Sequence, residues 1–404
     1  MDIKEIYHLI TWGGIFHLRG DCMNYDILLN LIDTHNEASI IATKRFQPKE
    51  VVFICDKDND TDIQLEGLRK YYSRNFPNII FVTKVIEKLD IESIKAIVEK
   101  YKNNKVLINL TRGQRLNSLI LLHLAKQYNF PCVYLDIENK KLTSFNEDVI
   151  NIVDEEFEDL NIKDMIESIG GSIIVDSMES NSNDIIEKLI DLISNNLDTW
   201  ERLKHRLYDP KVFIHNEADP TVMGLDMSLL TEEEINIYNS ILKLLKNQNQ
   251  IDYIIEHEQY VNIKFLNNYI KTFIFKSGSW LETYTRKVIE RIQQVNDVKS
   301  GMLFLWDDEQ SRVKNELDVV AIKDTVLICI SCKDSGKYDE VALNELNVYA
   351  HQLGGEEVIK ILVATKMPLK KPVLERAKEM GISVVIFDGN RDSFEEKLRK
   401  IVLR

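Results

Sequence analysis

The stretch NELDVVAIKDTVLICISCK, residues 315–333, brings two carboxylates and a lysine into one short run: Glu316, Asp318 and Lys333. Hydrolysing a phosphodiester calls for such a set. A divalent cation neutralises the non-bridging oxygens and lowers the pKa of a bound water. Carboxylates hold hard cations such as Mg²⁺ or Mn²⁺, and a nearby ammonium orients the water or offsets developing charge. Ser331 stands where a second carboxylate of such a site is expected. Read as a hairpin turning at Lys323–Asp324, the run pairs Ile322 with Thr325, Asp318 with Cys329 and Glu316 with Ser331. Alternation along a strand then puts Glu316, Asp318, Ser331 and Lys333 on one face. Val319, Ala321, Ile328, Ile330 and Cys332 face the other way. Upstream, SGSWLETYTRKVIE has helical spacing, with Leu281, Tyr284 and Val288 inward and Glu282 free to point at the same cation. A surface hairpin with incidental charges would show the same residues.

A second run, LINLTRGQRLNSLILLHLA (107–125), reads as strand, tight turn and helix. Thr111, Arg112, Gly113 and Gln114 lie where backbone N–H groups at a helix start can cradle a phosphate, with Arg112 and Arg115 adding charge. A plain strand-to-helix turn would want the same glycine.

These residues need a scaffold. EVVFICD, NIIFVTKVI, KVLINLT and PCVYLDI are β-rich runs in the first 145 residues, and helical patterns separate them. That alternation predicts a parallel sheet with helices on both faces. Residues 147–200 hold fifteen acids against two lysines and read as a solvated connector. TEEEINIYNSILKLLKNQ starts at a threonine cap with an acid three residues on. With a second helix and an expected strand at KTFIF, it suggests a small winged-helix-like module. From about 276 the α/β pattern returns. The expected organisation is therefore 1–146, an α/β domain; 147–275, an acidic linker and connector; and 276–404, a second α/β domain.

The net charge of −14 speaks against nucleic acid only until its distribution is read: residues 276–404 carry twenty-one charges of each sign. The five cysteines are scattered and odd in number, which predicts neither disulfides nor a zinc site. No apolar run long enough to span a membrane and no signal-peptide pattern occur, so the expected setting is the cytoplasm.

GSWLE (278–282), ELD (316–318), ISCK (330–333) and the helix NELNVYAHQLGG together resemble the PD-(D/E)XK nuclease superfamily. The resemblance implies Glu282 and Asp318 as metal ligands and Lys333 as the catalytic lysine. Ser331 departs from its acidic position, and Glu316 is the candidate replacement. LTRGQR resembles the N-(I/L)-T-G-G-T-K signature of CARF domains, Rossmann-like sensors of cyclic oligoadenylates, with Arg112, Gln114 and Arg115 departing from it. Thr43 and Lys44, in ATKR (42–45), resemble that family's other ligand-facing loop. Thr11, Trp12 and Gly13, in TWGG, are candidates by analogy of fold. The whole is similar to CRISPR ancillary nucleases of the Can/Card type: a CARF domain, a winged-helix-like connector and a restriction-endonuclease-like domain. That likeness implies a homodimer activated by cyclic tetra-adenylate, cutting single-stranded RNA and DNA or nicking DNA with Mn²⁺ or Mg²⁺ in type III antiviral defence. Two other readings stay open: a transcriptional regulator with a degenerate nuclease domain, and a restriction-type DNase with an unrelated sensor.

Overall fold

The computed structural model describes residues 25–57, 59–87, 90–146, 149–175, 183–257, 259–266, 268–276, 278–306 and 314–404. Thr11, Trp12 and Gly13 lie outside them. Tertiary contacts divide the chain into two units. One ends at Leu160 and takes up Ser168–Gly170; the other comprises Asn161–Glu167 and Gly171–Arg404.

In the first unit, strands and helices alternate: β1 (Ile27–Leu31), α1 (Glu37–Phe46), β2 (Glu50–Asp56), α2 (Asn59–Asn75), β3 (Ile80–Ile86), α3 (Ile91–Lys100), β4 (Val106–Asn109), α4 (Arg115–Tyr128) and β5 (Cys132–Asp136). These five strands are parallel, in the order β3-β2-β1-β4-β5. Two antiparallel strands, β6 (Lys141–Asn146) and β7 (Val149–Asp154), extend the edge. β1 is buried along its whole length, as a central parallel strand must be. It went unnoticed in the sequence because ILLNL is short and has no alternation. The strand order reverses between β1 and β4, and a crevice outside their carboxyl ends is the standard ligand position of such sheets.

The second unit opens with α5 (Ile162–Ser168, its last residue counted with the first unit), β8 (Gly171–Val175), α6 (Asn183–Asn195) and α7 (Leu197–Leu203). The acidic stretch is thus not simply a solvated connector. On α6, Ile185, Ile186, Leu189, Ile190 and Ile193 are buried, while Asp184 is exposed and Glu187 and Asp191 pair with Lys287 and Arg391. Charge count dominated the sequence signal; helical spacing decided the structure. There follow β9 (Phe213–His215), β10 (Val222–Asp226), α8 (Glu232–Asn247), β11 (Ile251–Glu256) and β12 (Tyr260–Phe265), with a four-stranded sheet in the order β11-β12-β10-β9. At the head of α8, Thr231 and Glu234 complete the expected capping box. KTFIF is not a strand but part of helix α9 (Asn268–Phe275), which buries Ile270, Phe273 and Ile274 at helical spacing. A short apolar run suits either state, and packing chose.

Next come α10 (Ser279–Glu290), β13 (Asp297–Trp306), β14 (Lys314–Lys323), β15 (Val326–Lys333), α11 (Glu340–Gly354), β16 (Ile359–Ala364), α12 (Pro372–Glu379), β17 (Ile382–Ile386) and α13 (Arg391–Val402). They form a six-stranded sheet, β17-β16-β15-β14-β13-β8, closed at one edge by the strand from the acidic stretch. One hydrophobic cluster runs from α6 through α8 and α9 to α10, β14, β15 and α13. Connector and sheet therefore share a core.

Candidate functional site

β14 and β15 meet at a two-residue turn, Asp324–Thr325, with φ of 48° and 63°. Two left-handed residues make the type I′ geometry whose twist suits adjoining strands. The turn lies one residue later than the expected Lys323–Asp324, so Lys323 pairs with Val326 and Val319 with Ile330. Each residue meets a partner two places from the expected one, a slip that leaves every side chain on its expected face. The regular ladder ends at Val319–Ile330. One step on, Asp318 faces Ser331. Its Oδ2 accepts the Cys332 N–H at 2.6 Å and the Ser331 hydroxyl at 3.1 Å. Ser331 therefore steadies Asp318 as a hydrogen-bond donor. Glu316 does not oppose Ser331; it lies further out, its side chain more than half exposed, with Lys276 Nζ 3.9 Å from its Oε1.

Helix α10 starts at Gly278, whose φ of 87° places it in the left-handed region. Trp280, Leu281, Tyr284, Thr285, Val288 and Ile289 are buried, which sets Glu282 at the margin of the packed face. A Cβ on Gly278 would stand 3.6 Å from Glu282 Oε1 and 3.9 Å from the Cβ of Asp334, the residue after Lys333. The helix start and the end of β15 thus converge. Burial first, then the charge of Asp318, pushes the Glu282 carboxyl up to about 7; Glu316 adds to the rise, while Lys276 and Lys333 oppose it. Two carboxylates that repel each other in a shielded place are a donor pair for one hard cation. Glu282 and Asp318 fit Mg²⁺ or Mn²⁺ in that sense. Among the described residues no cluster of three or more His, Cys, Asp or Glu side chains is arranged as a metal cage. An ion held by two carboxylates would keep several waters, as Mg²⁺ prefers.

Lys333, half-buried, ends β15; its carbonyl accepts the Thr365 N–H at 3.2 Å. On α11, Tyr349 stacks edge-on against Phe304 and His351 Nδ1 lies 2.8 Å from the Asn347 carbonyl, both ordinary helix packing. Asp307, Asp308 and Glu309 fall outside the described residues.

The first unit gathers a different set at the β1/β4 crevice. Asn109, last in β4, donates from Nδ2 to Asn30 Oδ1 on β1 at 2.9 Å. Its own Oδ1 accepts the Thr111 N–H and hydroxyl at 3.0 and 2.6 Å, and Thr111 Oγ1 accepts the Leu135 N–H at 2.9 Å. The Gly113 N–H donates to Asp33 Oδ2 at 2.8 Å, and Arg112 pairs with the buried Glu37. Gly113 has φ of 96°, and a Cβ there would lie 2.5 Å from Leu31 Cβ, so only glycine fits. Gln114 and Arg115 are exposed at the start of α4, which has neither a side-chain cap nor an acid in its first turn. Thr111, Arg112, Gly113, Gln114 and Arg115 thus lie together. Thr43 and Lys44 do not join them: ATKR is helix, not loop. Thr43 is fully buried, bonded to the Ser39 carbonyl and within 2.8 Å of Tyr72 Oη, and Lys44 pairs with Glu158 at 2.7 Å. Sequence reading missed Asn30, Asp33 and Glu37. Their signal was a polar residue inside an apolar run, ILLNLI, followed by D-T-H-N-E, once β1 is recognised.

Residues 270–403 match the family model of the Card1-like endonuclease domain. Over that third of the chain the sequence is similar to the Card1-like endonuclease domain. No curated protein matches the chain in sequence. Among solved structures, protein VC1899 from Vibrio cholerae superposes with a TM-score of 0.72 at 19% identity, over 93% of this chain and 97% of that one. Can2 from Sulfobacillus thermosulfidooxidans, solved with cyclic tetra-adenylate, gives 0.68 at 15% identity, over 94% and 98%. A type III CRISPR defence DNA nuclease activated by cyclic oligoadenylate gives 0.53 at 14% identity, over 94% of this chain and 51% of its own. The chain shares the overall fold of VC1899 and Can2. Within residues 270–403, Asp318, Ser331 and Lys333 lie at one end of the β14–β15 hairpin, and Glu282 on α10 is near enough to feel the Asp318 charge. Among the described residues no helix is long and apolar enough to cross a membrane.

Proposed function

We propose that this protein is a metal-dependent nuclease switched on by a cyclic oligoadenylate, cyclic tetra-adenylate being the first candidate, in type III CRISPR defence. The observation that carries the reading is the Asp318 carboxylate, fixed by Ser331 and Cys332, beside a Glu282 whose proton is held by burial and by Asp318 itself. A Mn²⁺ or Mg²⁺ ion there would neutralise phosphate charge and supply a bound water of lowered pKa. Glu282 and Asp318 hold the ion. Lys333 places its ammonium where it orients the attacking water or offsets charge on the phosphorane oxygens. Ser331 keeps Asp318 aimed, which its hydrogen bond does without adding the charge of a third acid. Cations for a nucleic-acid backbone follow the same strand ends: Lys337 after β15, and Lys370 and Lys371 after β16.

The effector reading rests on the crevice at the β1/β4 reversal, where the exposed Gln114 and Arg115 stand at an uncapped helix start, while the Thr111 and Gly113 N–H groups and Arg112 are engaged by Asn109, Asp33 and Glu37 and fix the turn. Leu116 and Leu119, 67% and 63% exposed on the same helix, suit burial between two copies, which supports a homodimer. Single-stranded RNA and DNA are the proposed substrates, and residues 1–146, 147–275 and 276–404 the proposed sensor, connector and nuclease portions.

The test is cleavage of labelled single-stranded RNA and DNA with Mn²⁺, with and without cyclic tetra-adenylate, beside Lys333→Ala. Effector-dependent cutting that the variant loses supports the reading. Equal rates with and without effector would remove the switch, and no cutting by either protein would remove the nuclease.

A further inference from the structure

Beside the nuclease residues lies a buried ionic cluster that no step above uses. Lys204, just past α7 and 7% exposed, donates from Nζ to both the carbonyl and, at 3.0 Å, the Oδ1 of Asp334. The Asp334 Oδ2 accepts the Trp280 indole N–H at 2.8 Å. Lys204 also pairs with Glu201, 5% exposed, whose carboxylate takes the Thr365 hydroxyl and the Lys366 ammonium at 3.0 Å each. Two acids and two ammonium groups balance, so the cluster is satisfied. Its members come from separate places: the end of α7, the first turn of α10, and the ends of β15 and β16.

Such a cluster is a poor source of stability, because well-packed apolar residues commonly replace a buried ion pair at no loss. Its value lies in direction. Trp280 is two residues before Glu282, and Asp334 is one after Lys333. A single hydrogen bond therefore ties the turn that carries Glu282 to the strand end that carries Lys333. Lys204 holds Asp334 by backbone and side chain together, which leaves the strand end no freedom to swing.

We propose that Lys204, Asp334 and Trp280 are positioning residues: they set the separation of Glu282 from Lys333 and so the geometry in which the endonuclease domain binds its cation. The proposal rests on the nuclease reading of that site. Lys204 acts from the connector, so the connector is part of the active-site frame and not only a spacer. The cluster touches neither substrate nor ion.

The experiment measures Mn²⁺ affinity of the full chain by electron paramagnetic resonance of the free ion, alongside melting temperature and single-turnover cleavage. Lys204→Met strands the Asp334 carboxylate and is expected to lower all three. Lys204→Met combined with Asp334→Asn removes both charges while the asparagine oxygen still accepts from Trp280. In the double variant the melting temperature is expected to return to within a few degrees of wild type, while Mn²⁺ affinity and cleavage stay down at least about tenfold. Trp280→Phe, which keeps the ring packing against Phe387, is expected to weaken Mn²⁺ binding about threefold to tenfold at nearly unchanged stability. Recovery of Mn²⁺ affinity in step with melting temperature would overturn the proposal, because the cluster would then be structural alone. If the wild type binds no Mn²⁺, the nuclease reading falls and the proposal with it. If the wild type binds Mn²⁺ and the double variant binds it equally well, only the positioning role falls.

Discussion

The β1/β4 crevice and the end of the β14–β15 hairpin are both built where strands stop, yet their electrostatics are opposite. In the crevice most key polar groups are answered by another: Asn30 by Asn109, Asn109 by Thr111, Asp33 by the Gly113 amide, Arg112 by Glu37, although Asn30 Nδ2 and Glu37 Oε2 are buried without a hydrogen bond. At the hairpin, Glu282 has no such answer; burial and a like charge keep it protonated near neutral pH. A largely paired network holds its shape before a ligand arrives and reads that ligand by fit. A frustrated pair of acids waits for a charge from outside. The first arrangement suits a sensor and the second a cation site.

That contrast can be broken at several points. The largest effect is expected from Asp318→Ala, which removes one carboxylate and the partner of Ser331. Cleavage should fall by about a thousandfold or more, in the range set by losing electrostatic stabilisation at a reaction centre, while binding of cyclic tetra-adenylate by calorimetry stays unchanged. Next, Gly113→Ala forces a Cβ into Leu31 at a left-handed φ. Chemical denaturation should show a loss of about 1–3 kcal/mol, and effector affinity should drop while the hairpin site keeps its Mn²⁺ affinity.

Glu282→Gln sharpens the comparison through pH. The folded protein holds the Glu282 proton up to about 7, whereas the unfolded chain releases it near the ordinary glutamate value of 4.5. The native state therefore binds more protons across that window, and metal-free stability falls as pH rises through it. The glutamine variant lacks this slope. In chelator, it should be more stable than wild type at pH 8 by up to about 3 kcal/mol, with the gap closing at pH 4 and Mn²⁺ restoring the wild type alone. The smallest change is expected from Glu316→Ala. With its side chain half exposed and beside Lys276, its loss should slow cleavage less than about fivefold, a charge effect of under 1 kcal/mol. A loss as large as that of Asp318→Ala would make Glu316 a ligand.

The sequence showed more of the hairpin than of the crevice, and physics explains why. Strand period alone sorted Glu316, Asp318, Ser331 and Lys333 onto one face, and that survives a two-residue slip of register. What it could not supply was the turn, since Lys-Asp-Thr offers no Asn-Gly or Asp-Gly signal. The mistaken pairing of Glu316 with Ser331 followed. In the crevice, Thr111 to Arg115 were visible as a strand–turn–helix, but Asn30 and Asp33 are about eighty residues away and meet it only through a sheet order that crosses over. Thr43 and Lys44 were misplaced because ATKR sits near the end of an amphipathic helix that stops at Gln47, in the left-handed region. Lys204 and Asp334, 130 positions apart, left no local trace at all.

Strand β8 carries a practical corollary for anyone dissecting this chain. The family match begins at residue 270, but the compact unit that contains it begins near residue 161. A fragment cut at the family boundary would bare the outer hydrogen-bonding edge of β13 and strip the α6–α8 side from its hydrophobic cluster. An unpaired, apolar edge is a template for intermolecular pairing. Such a fragment would be expected to aggregate, and its silence in an assay would report on the scissors rather than on the enzyme.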